Sequence, residues 1–116
     1  MSVSDPLIQA SLLGEAVEHG PVAVFVADDG ARYIAVNAAA CAMLGYSREE
    51  MLGLRVTDVA RYPGAATDYQ ALLDTGTASG TAALTRKDGT TVDFTFFAGA
   101  TRVAGMNVYV SVGAAT

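Results

Sequence analysis

Catalysis by side chains needs a nucleophile beside a base, a set of metal ligands, or two carboxylates held at different pKa values. Few of those parts are present here. The one histidine, His19, stands beside Gly20 and Pro21, so neither a multi-histidine metal site nor a catalytic triad can be assembled; it reads as a partly exposed turn residue. The one cysteine, Cys41, lies in an alanine-rich run, where it reads as a small buried apolar residue and has no partner for a disulfide. No Gly-x-Gly-x-x-Gly or Walker loop occurs to cradle phosphate. These absences predict a protein without catalysis of its own. What remains is apolar and aromatic. Phe25, Met43, Val59, Tyr69, Leu72, Leu84, Phe94 and Phe96 are the candidate walls of a small cavity for an apolar ligand, with Tyr69 and Thr95 as its polar contacts. The same side chains also suit an ordinary filled core, and only shape separates the two readings.

The elements that must position these residues are organised around residues 36–53. An apolar strand ends at Asn37, which can cap the alanine-rich helix that follows. In that helix Cys41 and Leu44 share one face, and Gly45 supplies the left-handed residue that ends it. Ser47 and Glu50 have the spacing of a capping box, and the short helix they open stops at Gly53.

Upstream, Asp5-Pro6 opens a helix whose Leu7, Ile8, Leu12, Leu13, Ala16 and Val17 form a wide apolar stripe, ended by Gly20-Pro21. The stripe suits either of two roles, covering the domain's own sheet or pairing with a second copy. Residues 22–27 are apolar throughout, as in a strand covered on both faces. Asp29-Gly30 turns the chain, and residues 33–36 return as a second strand. Downstream, residues 54–64 read as irregular, with Val56 and Val59 inward. Thr67 and Gln70 have capping-box spacing for a helix to about Asp74, with Tyr69, Leu72 and Leu73 on its inner face. Three strands follow: residues 81–86, then the Lys87-Asp88-Gly89 turn, residues 91–96 with Val92, Phe94 and Phe96 on one face, a connection over 99–105, and residues 106–112, where Met106, Val108 and Val110 alternate with Asn107, Tyr109 and Ser111.

In order, Ala23 to Val26, Asp29-Gly30, Tyr33 to Asn37, Leu44-Gly45-Tyr46-Ser47, Glu49-Glu50 and Leu52-Gly53 make a set that resembles the PAS sensory-domain family, and the likeness runs more weakly through Lys87-Asp88-Gly89 to Val112. The resemblance implies an α+β fold: a five-stranded antiparallel sheet with short helices on one face and an N-terminal flanking helix. It implies that residues 54–74 wall a ligand cavity and that the flanking helix, through its Leu7, Ile8, Leu12, Leu13, Ala16 and Val17 stripe, makes a homodimer. It further implies a sensory module that regulates an output domain or partner protein. Haem-binding members ligate iron from the helix at 67–74, which here has no histidine, and flavin photosensors carry a reactive cysteine in the region of 54–62, which here has none. No cofactor is therefore indicated. A ligand-free dimerisation domain is the alternative reading, and a non-covalent flavin or haem sensor a weaker one. Many members end in Asp-x-Thr, whereas this chain ends Ser111-Val112-Gly113 and three further residues.

Composition bounds the rest. With 116 residues, 52% of them hydrophobic and 16% charged, one small globular domain is expected. It divides into a flanking helix over 1–19, a sensory domain over 20–113 and a tail over 114–116. Net charge is −5 and the basic residues are scattered, which argues against a nucleic-acid partner. No apolar run approaches a membrane span and no export signal opens the chain, so a cytoplasmic protein away from the membrane is expected.

Overall fold

The computed structural model describes residues 2–116. The elements run α1 (Pro6–His19), β1 (Ala23–Asp28), β2 (Tyr33–Val36), α2 (Ala38–Leu44), α3 (Arg48–Met51), α4 (Val56–Val59), α5 (Ala65–Thr75), β3 (Thr77–Thr85), β4 (Thr91–Val103) and β5 (Met106–Ala115). The strands form one antiparallel sheet in the order β2-β1-β5-β4-β3. Both chain-terminal strands are thus central, and the helices between β2 and β3 close one face.

The local signals around Asn37 hold. Asn37 caps α2 through a bond from the Ala40 amide, and Gly45 ends that helix at φ 79°. Ser47 and Glu50 form the reciprocal capping box of α3. Asn37 also does more than cap. It is 4% exposed, its Oδ1 accepts from Val24 N at 2.9 Å, and its Nδ2 donates to Val17 O at 2.7 Å and Val22 O at 2.8 Å. One side chain therefore fastens the end of α1, the start of β1 and the start of α2 together. Asp5 caps α1 through the Leu7 amide.

Several boundaries differ from the sequence reading. Helix α5 starts at Ala65 behind Gly64; Thr67 and Gln70 lie inside it, because Pro63-Gly64 sets the break and the alanines that follow are good helix formers. Residues 54–64 are not wholly irregular, since Asp58 accepts from the Arg55 amide at 2.8 Å and closes the single turn of α4. Strand β3 begins at Thr77 and β4 runs on to Val103, so the expected connection over 99–105 shrinks to a two-residue turn at Ala104 and Gly105, both at positive φ. Backbone pairing with β5 carries β4 past the point where its apolar alternation ends. Ala114 and Ala115, read as a tail, pair with Thr95 and Phe94.

Cross-strand registers sort the side chains by face. Phe25 lies opposite Ser111, Ala98 opposite Ser111 from the other side, and Phe96 opposite Gly113, so Tyr109, Ser111 and Gly113 join Phe25, Phe94 and Phe96 under the helices. The valine row of β5 takes the outer face with Val24, Val26 and Phe97. Gly113 is obligatory there: a Cβ on it would sit 2.0 Å from Thr95 O and 2.9 Å from the Phe94 ring. Helix α1 does not cover this outer face, for none of its residues is buried. Leu7 is 77% and Leu13 65% exposed, with Leu12 and Val17 also exposed.

Candidate functional site

Beneath the sheet, Leu44, Met51 and Val59 are fully buried in one core cluster with Phe25, Leu84 and Phe94. Between α5 and the sheet a cavity of about 590 Å³ opens. That volume is ample for a small organic molecule. Phe25, Leu84, Phe94 and Phe96 form its floor, and Tyr69 and Leu72 of α5 its roof. The Phe94 and Phe96 rings are stacked, 6.2 Å apart and 14° from parallel, and Phe25 meets Phe94 edge-on at 5.7 Å.

Three residues expected at this site lie elsewhere. Val59 is sealed in the core and does not reach the cavity. Met43 lines a separate groove beside α2, together with Ala42, Arg86 and Ala115; it is next to Leu44 in sequence and so points about 100° away from it around the helix. Thr95 is on the outer face of the sheet, where its hydroxyl meets that of Thr81 at 3.2 Å.

Tyr69, expected as a polar contact, is in the lining, and most of the other polar residues there were not named as contacts from the sequence: Tyr33, Tyr62, Tyr109, Ser111 and Arg61 among them. Tyr109 and Ser111 were legible as one side of an alternating strand, but that side looked like the solvent face because it is the more polar one. Tyr69 and Tyr109 approach to 6.2 Å between centroids. Burial, then the neighbouring Tyr109, Asp29 and Asp28, push the Tyr69 phenol above its ordinary range. Tyr33 is raised further, by burial and by the nearby Asp58 carboxylate. Burial also raises Tyr62, whose hydroxyl donates to Asp68 at 2.5 Å. All three phenols therefore stay protonated in any ordinary buffer.

Outside the cavity the possible reactive groups are quiet. His19 is exposed at the end of α1. Cys41 is half-buried rather than buried, and that partial burial raises its thiol and leaves it a poor nucleophile. Among the described residues no three His, Cys, Asp or Glu side chains gather as metal ligands, and no helix is long and apolar enough to cross a membrane.

A family model described as "PAS domain" matches residues 21–115. The fold is similar to a PAS domain from a two-component sensor histidine kinase, with TM-score 0.83 at 15% identity over 97% of this chain and 100% of that one. It is also similar to a domain of a sensory box sensor histidine kinase/response regulator from Geobacter sulfurreducens, with TM-score 0.79 at 19% identity over 97% and 99%. A third likeness is to the PAS domain of an HTR-like protein from Haloarcula marismortui, with TM-score 0.78 at 22% identity over 93% and 92%. No curated protein matches the chain.

Proposed function

Because this chain belongs to the PAS domain family, we propose that it is a sensory module that binds a small, largely apolar molecule between α5 and the sheet and passes the change to an output domain or partner protein. The observation that carries this reading is the cavity of about 590 Å³ between α5 and the sheet, lined by Phe25, Phe94 and Phe96. A domain built only to be stable would fill such a space, since empty apolar volume forfeits packing energy. Ligand entry favours one seating of α5 over another, and the population shifts accordingly.

The module works as a homodimer through Leu7, Ile8, Leu12, Leu13, Ala16 and Val17. Support comes from the exposure of five of these on a helix with no buried residue, since a row of exposed leucines is costly in water. The same row supports a second reading, a ligand-free dimerisation domain, which needs no cavity. A single cysteine and the net charge of −5 suit a reducing, cytoplasmic setting without nucleic-acid contact.

Native mass spectrometry of the purified protein tests both parts at once. A dimer carrying a defined extra mass, released on denaturation, is the expected result. A bare dimer favours the ligand-free reading, and a bare monomer refutes both. Leu13→Glu is expected to convert the dimer to monomer while leaving any bound mass in place.

A further inference from the structure

Several of the cavity's hydroxyls make no hydrogen bond among the described residues, those of Tyr33, Tyr69, Tyr109 and Ser111 among them, and of these only that of Tyr33 belongs to a buried residue. Tyr33 is 6% exposed and packs its ring on Phe25 at 5.6 Å. Its backbone amide bonds Leu54 O, but its hydroxyl has no hydrogen-bond partner among the described residues. Every side-chain nitrogen or oxygen among them that is sealed from solvent does have one. The free hydroxyl is therefore not sealed, and Tyr33 is one of the residues that line the cavity. A ligand acceptor at this point takes the place of solvent at the hydroxyl, in surroundings drier than bulk water where the bond is stronger.

The surroundings constrain what brings the acceptor. The floor beside Tyr33 is aromatic, with Phe25, Phe94 and Phe96 presenting ring faces and edges at 5.7 to 6.2 Å from one another. Rings pack well against such a surface. Charge is unwelcome. Asp58 acts on Tyr33, and Asp28 and Asp29 act on Tyr69, so a carboxylate would enter a field of its own sign. The one cation of the lining, Arg61, is exposed and has its Nε engaged by Asp58 O at 2.8 Å. A cation meets one carboxylate in the lining, Asp68, which already accepts from the Tyr62 hydroxyl. Desolvating an ion there is therefore only partly offset.

Resting on the ligand-binding reading above, we propose that the cavity selects an uncharged ring compound with one hydrogen-bond acceptor, which accepts from the Tyr33 hydroxyl while its ring lies against Phe25, Phe94 and Phe96. Tyr33 is then the residue that determines specificity, and the phenylalanines supply affinity without discrimination.

Four two-ring probes test this by isothermal titration: 1-tetralone, its hydrocarbon counterpart tetralin, 2-naphthoate and 2-aminotetralin at neutral pH. Wild-type protein is expected to bind 1-tetralone roughly tenfold more tightly than tetralin, the size of one well-made hydrogen bond, and to bind the two ions more weakly than either. In Tyr33→Phe that preference is expected to vanish through weaker tetralone binding, with the tetralin affinity unchanged; Tyr69→Phe, nearer the roof, is expected to keep it. Equal binding of tetralone and tetralin by wild type, or a preference that survives Tyr33→Phe, overturns the assignment of Tyr33 and leaves the cavity as a ligand site. Tightest binding of either ion overturns the uncharged class. If none of the four binds wild-type protein, the ligand-binding reading fails and takes this proposal with it. Melting of Tyr33→Phe without probe, expected within a few degrees of wild type, separates loss of binding from loss of fold.

Discussion

Replacing Asn37 by alanine removes four hydrogen bonds from one buried point. The Ala40 amide loses its helix cap, which costs about 1 kcal/mol. Val24 N, Val17 O and Val22 O lose their partners at 2.9, 2.7 and 2.8 Å. Each orphaned group costs about 1 kcal/mol or more where water cannot replace the amide. Partial hydration at the α1 end, which is the more exposed, trims the sum, and the expected loss is roughly 3–4 kcal/mol. For a domain of this size that lowers the melting temperature by roughly 10–15 °C. Chemical and thermal denaturation measure the loss, and hydrogen exchange locates it. The amides of α1 are expected to lose protection first, since the bond to Val17 O and the exposed Arg48–Glu18 ion pair are what tie the helix's end to the domain. Asn37→Asp sharpens the argument. It keeps the shape and both accepted bonds but aims a carboxylate oxygen at the Val17 and Val22 carbonyls. Repulsion there raises the new group's pKa in the folded state above its unfolded value near 3.9. An acid raised on folding destabilises as pH rises from the unfolded value through the folded one, and not below. The defect of Asn37→Asp is therefore expected to be small at pH 3.5 and to grow steadily toward neutral pH. A loss under 1 kcal/mol for Asn37→Ala, or a pH-independent defect for Asn37→Asp, would refute the account of Asn37 as a four-way fastener.

Gly113→Ala is expected to destabilise by about 2–3 kcal/mol, because its Cβ would meet Thr95 O at 2.0 Å and the Phe94 ring at 2.9 Å; a change within 0.5 kcal/mol by urea denaturation would contradict that packing. Glu50 has its carboxyl lowered to about 2, chiefly by Lys87 and then by the Ser47 amide. Being lowered on folding, it stabilises above the ordinary glutamate range and less as pH falls toward 2. Lys87→Ala is expected to shift the Glu50 titration, followed by NMR, upward toward the ordinary value; an unmoved titration would remove Lys87 as the cause. Of the five tyrosines, Tyr33, Tyr62 and Tyr69 are raised, so ultraviolet titration is expected to find a class that resists ionisation above pH 10 and a stability that declines there. Five equivalent phenols ionising together near pH 10 would rule out their burial at the cavity.

The order of elements was legible because its signals are local. Asp5-Pro6, Asn37, Gly45, the Ser47 and Glu50 pair and Asp88-Gly89 each act within four residues through a cap or a turn, and each appears where it was expected. The Thr67 and Gln70 spacing failed because a capping pattern only marks a helix start when no stronger break precedes it, and Pro63-Gly64 does. Tyr69, Leu72, Phe94 and Phe96 were placed on inward faces by periodicity, and Phe25 and Leu84 were named from their apolar strands alone; all six line the cavity. Val59 was inward as well, but inward does not distinguish lining a void from filling one.

From sequence alone, then, came the family, the succession of strands and helices, and one row of inward aromatics, all set by backbone preference and by apolar spacing along the chain. Tertiary structure decided the rest. Which face of β5 the helices cover depends on its register with β1 and β4, and a shift of one residue would exchange Tyr109 and Ser111 for the valines. That register brings a polar row under α5, turns Gly113 into a seat for Phe94 and leaves the Tyr33 hydroxyl without a partner. Such facts belong to distances between residues up to 90 positions apart, which no local pattern encodes.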